Sequence, residues 1–331
     1  MPAEWAEHRT CYTAWPAHEY AWGPHLAAAQ REFIEFARAF CAHPGQESLS
    51  VLVDAEHAQT ARAALPQLSE RLLLVELPYG DVWLRDTGPV FLQGPRGLAC
   101  VRFRWNGWGE KYRYPHDAEV SRRVAALQTR PEFSCDFVLE GGAVEVDGLG
   151  TCLTTRSCVL NPNREPSDEA TTERRLCDAL GATKIIWLDD GLANDHTDGH
   201  IDNIARFVAP GVVVCMQAHD ADDPNCDTLD ATAQQLGSAT DARGQQLRVV
   251  RIPSPGRVLG ADGNVVPASY MNFYLGNARV LMPAFGTRWD EPARAALQAL
   301  FPAREVVARS ARAILEGGGT FHCMTQQEPL P

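Results

Sequence analysis

The segment LEGGGTFHC, residues Leu315–Cys323, begins with the same four letters as LEGGAVEVDG, residues Leu139–Gly148. In both segments, Leu-Glu-Gly-Gly is followed by a short strand-like stretch. Similar segments far apart in one chain indicate either a structural repeat with related loops at one site or a chance match of four letters. The glycine run of the later segment predicts either a tight turn before a buried cysteine or a backbone that leaves room for a ligand beside Cys323.

Helical and strand patterns alternate along the chain, which indicates an α/β fold. No low-complexity linker divides the sequence, so we expect a single domain over residues 1–331, although the length alone would allow two. One helix is predicted in LAAAQREFIEFARAF, where the apolar residues recur with the spacing of an amphipathic helix: Phe33, Phe36, Ala37 and Phe40. Further helices are predicted over 55–65, 117–128, 168–180, 227–237 and 290–300. Strands are predicted over the short apolar runs Leu49–Val53, Leu72–Leu77, Leu98–Arg104, Lys184–Leu188, Val212–Met216, Leu247–Ile252 and Arg279–Met282.

The composition is that of an ordinary globular protein. Of the 331 residues, 45% are hydrophobic and 22% are charged, which supplies enough apolar material for a large core. The formal net charge of −12 argues against nucleic acid or an anionic membrane as a partner, because both attract basic patches. The same charge would suit a small cationic substrate, and it would equally serve solubility. No apolar run reaches the roughly 18 residues of a membrane span.

The ten cysteines do not follow the pattern of a disulfide framework or a zinc site. The N-terminal stretch MPAEWAEHRTCYTAWP lacks the basic segment and apolar core of an export signal, and no Cys-x-x-Cys pair occurs. We therefore expect a cytoplasmic protein with reduced thiols. Nine cysteines are then interpreted as structural, and Cys323 is the candidate for function.

Acidic and imidazole side chains crowd into the segment NDHTDGHIDNIARF, which contains His196, Asp198, His200 and Asp202 within seven residues. Side chains two residues apart in a strand share a face, so these four could converge. One interpretation is a metal site, because His and Asp are common ligands. A second is that His200 is a general acid/base beside Asp202, and a third is a solvated polar turn.

A further candidate is Asp86 in DVWLRDTGPVF, where it follows Arg85 at the end of an apolar run and precedes the turn signal Thr-Gly-Pro. A carboxylate at the end of a strand is well placed to face a cleft. The alternative is an Arg–Asp pair on the surface or an Asx turn.

Together, a cysteine, a histidine and several carboxylates indicate thiol chemistry on a cationic substrate. Negative charge near a thiol raises its pKa and disfavours the thiolate, which is wrong for an ordinary cysteine protease. The combination becomes reasonable if the substrate brings positive charge. A guanidinium is planar, so carboxylates can hold it through paired hydrogen bonds and fix its carbon near sulfur.

The chain resembles the agmatine deiminases, which belong to the guanidino-group-modifying superfamily together with arginine deiminases and bacterial peptidylarginine deiminases. The resemblance runs from residue 2 to residue 329. Six segments occur in the order expected of that family: MPAEWAEHRTCYTAWP, WLRDTGPVF, LEGGAVEVDGLGTCLTTRSCVLNPNR, TDGHIDNIARFV, SYMNFYLGNARVLMPAFG and LEGGGTFHCMTQQEP.

The resemblance implies a five-bladed α/β propeller of pseudo-fivefold symmetry around one central active site. It implies that Cys323 is the nucleophile and His200 the acid/base, that Asp86 and Asp202 hold the guanidinium, and that Glu140 orients His200 or the remaining substrate nitrogen. Agmatine would be converted to N-carbamoylputrescine and ammonia through a covalent amidino-cysteine, without a metal or organic cofactor. The partner implied is a small cationic guanidine, and a homodimer is compatible with this reading.

Two positions depart from the family pattern. His196 stands where relatives often have an acidic residue, four positions before the histidine, and Thr320 stands where many have Asn. A histidine would offer the distal amine of agmatine less charge than a carboxylate. Trp83 is either a wall for the aliphatic chain of the substrate or a core aromatic.

Three alternatives compete with agmatine deimination. The first is a deiminase of free arginine or peptidyl-arginine. The second is a catalytically silent guanidine- or polyamine-binding protein, which would have no need of the cysteine. The third is a metal-binding protein built on the segment from His196 to Asp202.

Overall fold

Sixteen strands form five separate sheets in the parts of the chain that the computed structural model describes, which are residues 1–42, 47–65, 70–128 and 130–331. Four of these sheets have three strands and one has four. The fold is therefore mixed α/β, built from several small mixed sheets. The strands are β1 (His8–Ala14), β2 (Ser48–Val53), β3 (Leu72–Glu76), β4 (Val90–Gly94), β5 (Gly97–Arg104), β6 (Glu132–Val138), β7 (Glu145–Val146), β8 (Thr151–Thr155), β9 (Lys184–Leu188), β10 (Ala205–Ala209), β11 (Val212–Gln217), β12 (Arg248–Pro253), β13 (Tyr274–Leu275), β14 (Arg279–Ala284), β15 (Glu305–Ser310) and β16 (Gln326–Pro329).

Each three-stranded sheet is one copy of the same module. Two strands form an antiparallel hairpin, and a third strand returns parallel to the second after a helix. In one copy, β13 pairs antiparallel with β14, and β14 pairs parallel with β15, with Val280 opposite Val306. The four copies are β4–β5–β6, β7–β8–β9, β10–β11–β12 and β13–β14–β15.

The two ends of the chain complete the four-stranded sheet. β16 pairs antiparallel with β1, with Cys11 opposite Gln327, and β1 continues parallel to β2 and β2 to β3. β16 thus takes the place that the first hairpin strand has in the other modules. This pairing fixes the segment before β16, which carries Cys323, against the start of the chain.

Six longer helices connect the parallel strands of the modules. The amphipathic pattern is confirmed in the first of them, where Phe33, Phe36 and Ala37 are fully buried. All six predicted helices and all seven predicted strands are present, with ends that differ by a few residues. No helix in the described parts of the chain is both long and apolar enough to cross a membrane. The helices are α1 (Leu26–Cys41), α2 (Ala58–Ala64), α3 (Asp117–Ala125), α4 (Glu169–Leu180), α5 (Cys226–Ser238) and α6 (Asp290–Leu300).

Shorter helical turns lie in the connections. Several of them fall in the segments that precede the first strand of a module, and these segments are largely buried. The four-residue turns are Glu19–Trp22, Leu84–Thr87, Gly107–Glu110, Arg156–Val159 and Arg312–Leu315. The 3₁₀ turns are Gly23–His25, Gly141–Ala143, Pro162–Arg164 and Ile201–Asn203.

The segments before these first strands supply the buried polar groups of the site described next. Each module contributes at least one such side chain. They are Asp86 before β4, Glu140 before β7, His200 and Asp202 before β10, Asn272 before β13 and Cys323 before β16.

Candidate active site

A cavity of about 130 Å³ reaches Cys323 and Asp86 from the surface. Aromatic side chains form much of its wall, and the glycine run 317–319 forms another part. Acidic side chains line it at two levels, with Asp81 and Asp86 at buried positions and Glu316 at a less buried position. The aromatic lining residues are Trp83, Trp108, Tyr112 and Tyr114. Such a pocket suits a slender substrate with a cationic end and an apolar stem.

Cys323 is buried, with a side chain that is 3% exposed. Its sulfur lies 2.9 Å from Nδ2 of Asn272 and 3.6 Å from Oδ2 of Asp202. Burial raises the pKa of the Cys323 thiol well above its ordinary value, and the charges of Asp202 and Asp86 raise it further. All ten cysteines, including Cys323, are free thiols.

The glycine run before Cys323 is required by the aromatic wall. A Cβ added to Gly319 would lie 2.8 Å from the Trp83 ring and 2.9 Å from the Cβ of Cys323. A Cβ on Gly317 would lie 2.9 Å from the Trp22 ring. Glycine is therefore the residue that lets this backbone pass directly beside the indole rings and the cysteine.

His200 is fully buried beside the carboxylates. Its Nδ1 lies 3.8 Å from Oδ1 of Asp86, and its Nε2 lies 4.0 Å from Oε2 of Glu140. Among the described residues, neither ring nitrogen has a hydrogen-bond partner. Burial lowers the pKa of His200 to about 3, so the ring is neutral near pH 7. At 3.8 and 4.0 Å these pairs are too far apart for direct hydrogen bonds, so both ring nitrogens keep their capacity to bind a substrate.

Asp86 lies in the helical turn Leu84–Thr87, not at the end of a strand as the sequence pattern predicted. Its carboxylate accepts hydrogen bonds from Trp108 Nε1 at 2.8 Å and from the backbone N–H of Gly142 at 2.9 Å. Burial raises the pKa of Asp86 well above its ordinary value, and the neighbouring Asp202 and Glu140 charges add to the shift. Asp86 is buried, which contradicts the alternative of a surface pair with Arg85.

The two carboxylate oxygens of Glu140 have different surroundings, because one faces the site and the other accepts a hydrogen bond from an arginine. Arg164 Nε donates to Oε1 at 2.9 Å, and both side chains are buried. Oε2, which faces His200, has no hydrogen-bond partner among the described residues. Burial raises the pKa of Glu140 although the Arg164 charge opposes the shift.

Among Asp86, Glu140 and Asp202, Asp202 is the carboxylate whose pKa lies below its ordinary value. Burial alone would raise the pKa of Asp202, but the hydrogen bond and charge of the His322 ring outweigh burial and hold it below its ordinary value. The distance from His322 Nδ1 to Asp202 Oδ2 is 2.7 Å. On its other side, His322 Nε2 lies 2.9 Å from Oε2 of Glu4, which in turn pairs with Arg206. Glu4, in the N-terminal segment, thereby holds the His322 ring in contact with Asp202.

The segment from His196 to Asp202 is a series of turns, so the predicted shared face of a strand is wrong. It ends in the 3₁₀ turn Ile201–Asn203, and Asp198 has a φ of 67°. Because the chain turns, Asp198 pairs with Arg164 and Lys111 outside the catalytic cluster. His200 forms, with Glu140 and Cys158, a buried group of side chains whose ligand atoms lie close enough to hold a metal ion, and no other residue of this segment belongs to that group.

The two residues predicted to contact the rest of the substrate both line the cavity. Trp83 is 4% exposed, and its Nε1 donates to Asp81 at 2.8 Å, which fixes the plane of the ring. His196 lies near the ring of Tyr112, with 5.7 Å between ring centroids. Trp83 is therefore a buried aromatic and a wall of the cavity at the same time.

Sequence reasoning missed Asn272, His322 and Glu4. Asn272 contacts the sulfur of Cys323, and the other two support Asp202. All three lie inside segments that the sequence analysis had quoted as motifs. No signal in the sequence marked Asn272, because β13, the two-residue strand that follows it, carries too few residues for a pattern.

Known proteins support this picture at the level of family and fold. The chain matches the family model of the Porphyromonas-type peptidyl-arginine deiminase over residues 1–329. It is 38% identical to an agmatine deiminase of Stutzerimonas stutzeri (strain A1501), with 100% of this chain and 95% of that protein covered. The solved agmatine deiminase of Enterococcus faecalis is 32% identical, with a TM-score of 0.93 over 100% of this chain and 95% of that one. The DDAH of Pseudomonas aeruginosa shares the fold at a TM-score of 0.57 and 12% identity, over 97% of this chain and 100% of that one.

Proposed function

The chain belongs to the Porphyromonas-type peptidyl-arginine deiminase family, and on that premise we propose that it hydrolyses agmatine to N-carbamoylputrescine and ammonia. The observation that carries the proposal is the excess of buried carboxylates around one thiol and one imidazole. Asp86, Glu140 and Asp202 are each at most 8% exposed. Such a cluster is unfavourable when empty and becomes favourable when a guanidinium enters.

The guanidinium is the group that relieves this electrostatic conflict. Its N–H groups would donate to Asp86 and Asp202, which are the residues we assign to holding it. Its positive charge would also favour the thiolate of Cys323, whose pKa is raised by burial and by the two aspartates in the free protein. Binding and activation of the nucleophile are thus coupled, because the substrate brings the charge that the site lacks.

The reaction then follows in two halves. The proton of the Cys323 thiol passes to His200 as the sulfur forms a bond to the guanidinium carbon, and His200 then gives this proton to the leaving nitrogen, so that ammonia departs and an amidino-cysteine remains. In the second half, His200 takes a proton from water, whose oxygen attacks the same carbon while the C–S bond breaks. Glu140, whose Oε2 faces the His200 ring at 4.0 Å, would stabilise the imidazolium that forms within each half while His200 holds the transferred proton.

The outer part of the cavity would receive the butylamine part of agmatine. Trp83 supplies an apolar wall for the stem, and His196 with Glu316 lines the less buried part of the cavity. Because His196 brings no carboxylate, Glu316 is the acidic side chain left there for an ammonium. Arginine would add a carboxylate near Glu316, which should repel it.

We also infer that the five sheets stand around the site as the blades of a pseudo-fivefold propeller. The repeated module and the five segments that supply the polar groups of one cavity support this arrangement. A cytoplasmic location, the absence of a nucleic-acid partner and a homodimeric state stay predictions from the sequence.

The deciding experiment measures ammonia release from agmatine, free arginine and a blocked peptidyl-arginine by the same purified protein. We expect kcat/KM for agmatine to exceed that for arginine by at least about 10²-fold, because one charge contact at a partly buried site separates the two. The activity should survive EDTA, because His200 and Asp202 are assigned to proton transfer and substrate binding. Equal rates on agmatine and arginine, or loss of activity in EDTA with recovery in zinc or manganese, would contradict the proposal.

A further inference from the structure

Asn272 occupies the centre of a hydrogen-bond network around the nucleophile. It is 1% exposed and lies directly before β13, in the module that contributes no titratable group to the catalytic set. Its side chain contacts the sulfur of Cys323 at 2.9 Å, which is the shortest polar contact that this sulfur makes among the described residues. We propose that Asn272 is a catalytic residue of the deimination, whose amide N–H stabilises the thiolate of Cys323 as it forms and as it leaves.

The orientation of the Asn272 amide is fixed by its neighbours. Its Oδ1 accepts hydrogen bonds from the backbone N–H groups of His322 and Cys323 at 3.1 and 3.2 Å. The hydroxyl of Thr320 also donates to Oδ1, at 2.7 Å. Backbone N–H groups can only donate, so the oxygen must face them and the NH₂ group must face the sulfur.

The NH₂ group has more acceptors than hydrogens. Besides the sulfur at 2.9 Å, Oδ1 of Asn203 lies at 3.0 Å and Oδ2 of Asp202 at 3.2 Å. Two hydrogens shared among three acceptors turn preferentially towards the acceptor with the most negative charge. When Cys323 ionises, the sulfur gains charge and competes better for one of them, so the contact is stronger with the thiolate than with the thiol.

The contact from Asn272 opposes the effect of the neighbouring groups that raise the pKa of the Cys323 thiol. Asp202 and Asp86 place negative charge near the sulfur, and burial removes water that would otherwise solvate it. A neutral donor offsets part of that penalty without competing for the guanidinium. The same donor would stabilise the sulfur again when the C–S bond of the amidino-cysteine breaks, because the departing group is once more a thiolate.

Asn272→Asp separates this role from mere support of the loop. The aspartate keeps an oxygen for the two backbone N–H groups and for Thr320, but it replaces the donor that faces sulfur with an acceptor. Thr320→Val is the matched control, since it removes a hydrogen bond to the same side chain and leaves the donor in place. Near-ultraviolet circular dichroism would report whether each variant is folded.

Two readouts apply, of which the first needs no substrate and therefore does not depend on the proposed function. The rate of Cys323 alkylation by iodoacetamide, followed by peptide mass spectrometry across pH, should show a midpoint at least about one pH unit higher in Asn272→Asp than in the unsubstituted protein. The second is kcat/KM for agmatine, which should fall by about 10²- to 10³-fold, the usual cost of removing one preorganised donor. Thr320→Val should change the alkylation midpoint and kcat/KM much less than Asn272→Asp does. An unchanged alkylation midpoint in folded Asn272→Asp, or an equal shift in Thr320→Val, would overturn the proposal.

If Asn272→Asp does not fold, Asn272→Ala serves as the second variant, with the same expected directions. If neither folds, the unsubstituted protein can be labelled with ¹⁵N-asparagine and its side-chain amide signals followed against pH. One NH₂ pair should shift with ionisation of Cys323 and stay unshifted in Cys323→Ser. The proposal is overturned if no asparagine side-chain signal follows the thiol.

Discussion

The two segments that share Leu-Glu-Gly-Gly stand in different places relative to the strands that follow them. Glu140 lies five residues before β7, is 1% exposed and faces His200. Glu316 lies ten residues before β16, and its Oε1 accepts the backbone N–H of Ala261 at the surface. The same letters therefore place one glutamate beside His200 and the other in the outer wall of the cavity.

The different distances to the following strand, and not the shared motif, distinguish the places of Glu140 and Glu316. Asp202 and Cys323 both lie three residues before the first strand of their module, and so does Gly142. His200 and Glu140 both lie five residues before theirs. The sequence match correctly related the two loops, but its register aligned Glu140 with Glu316 when the structure aligns Gly142 with Cys323.

The largest expected effect comes from removing the thiol at this position. Cys323→Ser should lower kcat for agmatine by at least about 10⁴-fold, because a hydroxyl next to two carboxylates cannot supply the nucleophile. Cys226→Ser, at a cysteine far along the chain from this segment, should retain nearly full activity. Ammonia release and thermal unfolding of both variants provide the measurement. Substantial turnover of agmatine by Cys323→Ser would contradict the covalent mechanism.

Gly142 tests the same position in the β7–β8–β9 module, where the site needs space and not a side chain. A Cβ there would lie 2.6 Å from Nδ1 of His200 and 2.9 Å from Oδ1 of Asp86. We expect Gly142→Ala to lower kcat/KM by about 10²-fold, since it displaces both catalytic groups. Gly94→Ala, which adds a Cβ with no heavy atom within 4 Å, is the matched control and should be neutral. Similar kinetics for the two variants would show that the register argument is wrong.

Substitution of Glu140 and of Glu316 should affect kcat and KM differently. Glu140→Gln keeps an oxygen for Arg164 but removes the charge near His200, so kcat should fall by about 10²-fold. Glu316→Gln should leave kcat nearly unchanged and raise KM for agmatine by less than about 10-fold, as expected of a contact made equally before and during the reaction. Steady-state kinetics on both variants would decide the matter. A loss of kcat in Glu316→Gln would mean that the outer glutamate has a role in the chemistry.

The fold was largely predictable because its parallel strands and longer helices are apolar and periodic. Helix α1 and strand β9 were recognised from such patterns, and β9 with its ends as found. The short first strands carry too few residues for a pattern, as in the two-residue strand β7, and β16 reads Gln-Gln-Glu-Pro although all four residues are buried. The place of β16 is set by pairing with β1 at the other end of the chain, which the local sequence does not encode.

Site residues could be proposed from the sequence where reactive chemistry coincides with a familiar motif, as Cys323 and His200 were. Asn272 was not, because an asparagine in SYMNFYLGN has no local property that distinguishes a sulfur contact from a turn. Glu4 and His322 act through a chain of buried contacts between the first and last segments, 318 residues apart. The strand assumed through His196 failed because several turns, including Asp198 at positive φ, fold it back on itself.

The smallest expected effect concerns the outer wall, where His196 stands beside Glu316 in the cavity. His196→Asp would place a second carboxylate there and give the ammonium of agmatine another charge partner. A partly exposed charge contact is worth about 0.2 to 1 kcal/mol, so kcat/KM for agmatine should rise only about 3-fold. The same change should lower kcat/KM for arginine, whose carboxylate would meet added negative charge. His219→Asp makes the same change at an exposed position outside the cavity lining and should alter neither value. A rise in kcat/KM for both substrates, or a fall for agmatine, would show that the distal amine does not lie at His196. The contrast between Glu140 in the chemistry and Glu316 in amine binding would then have to be revised.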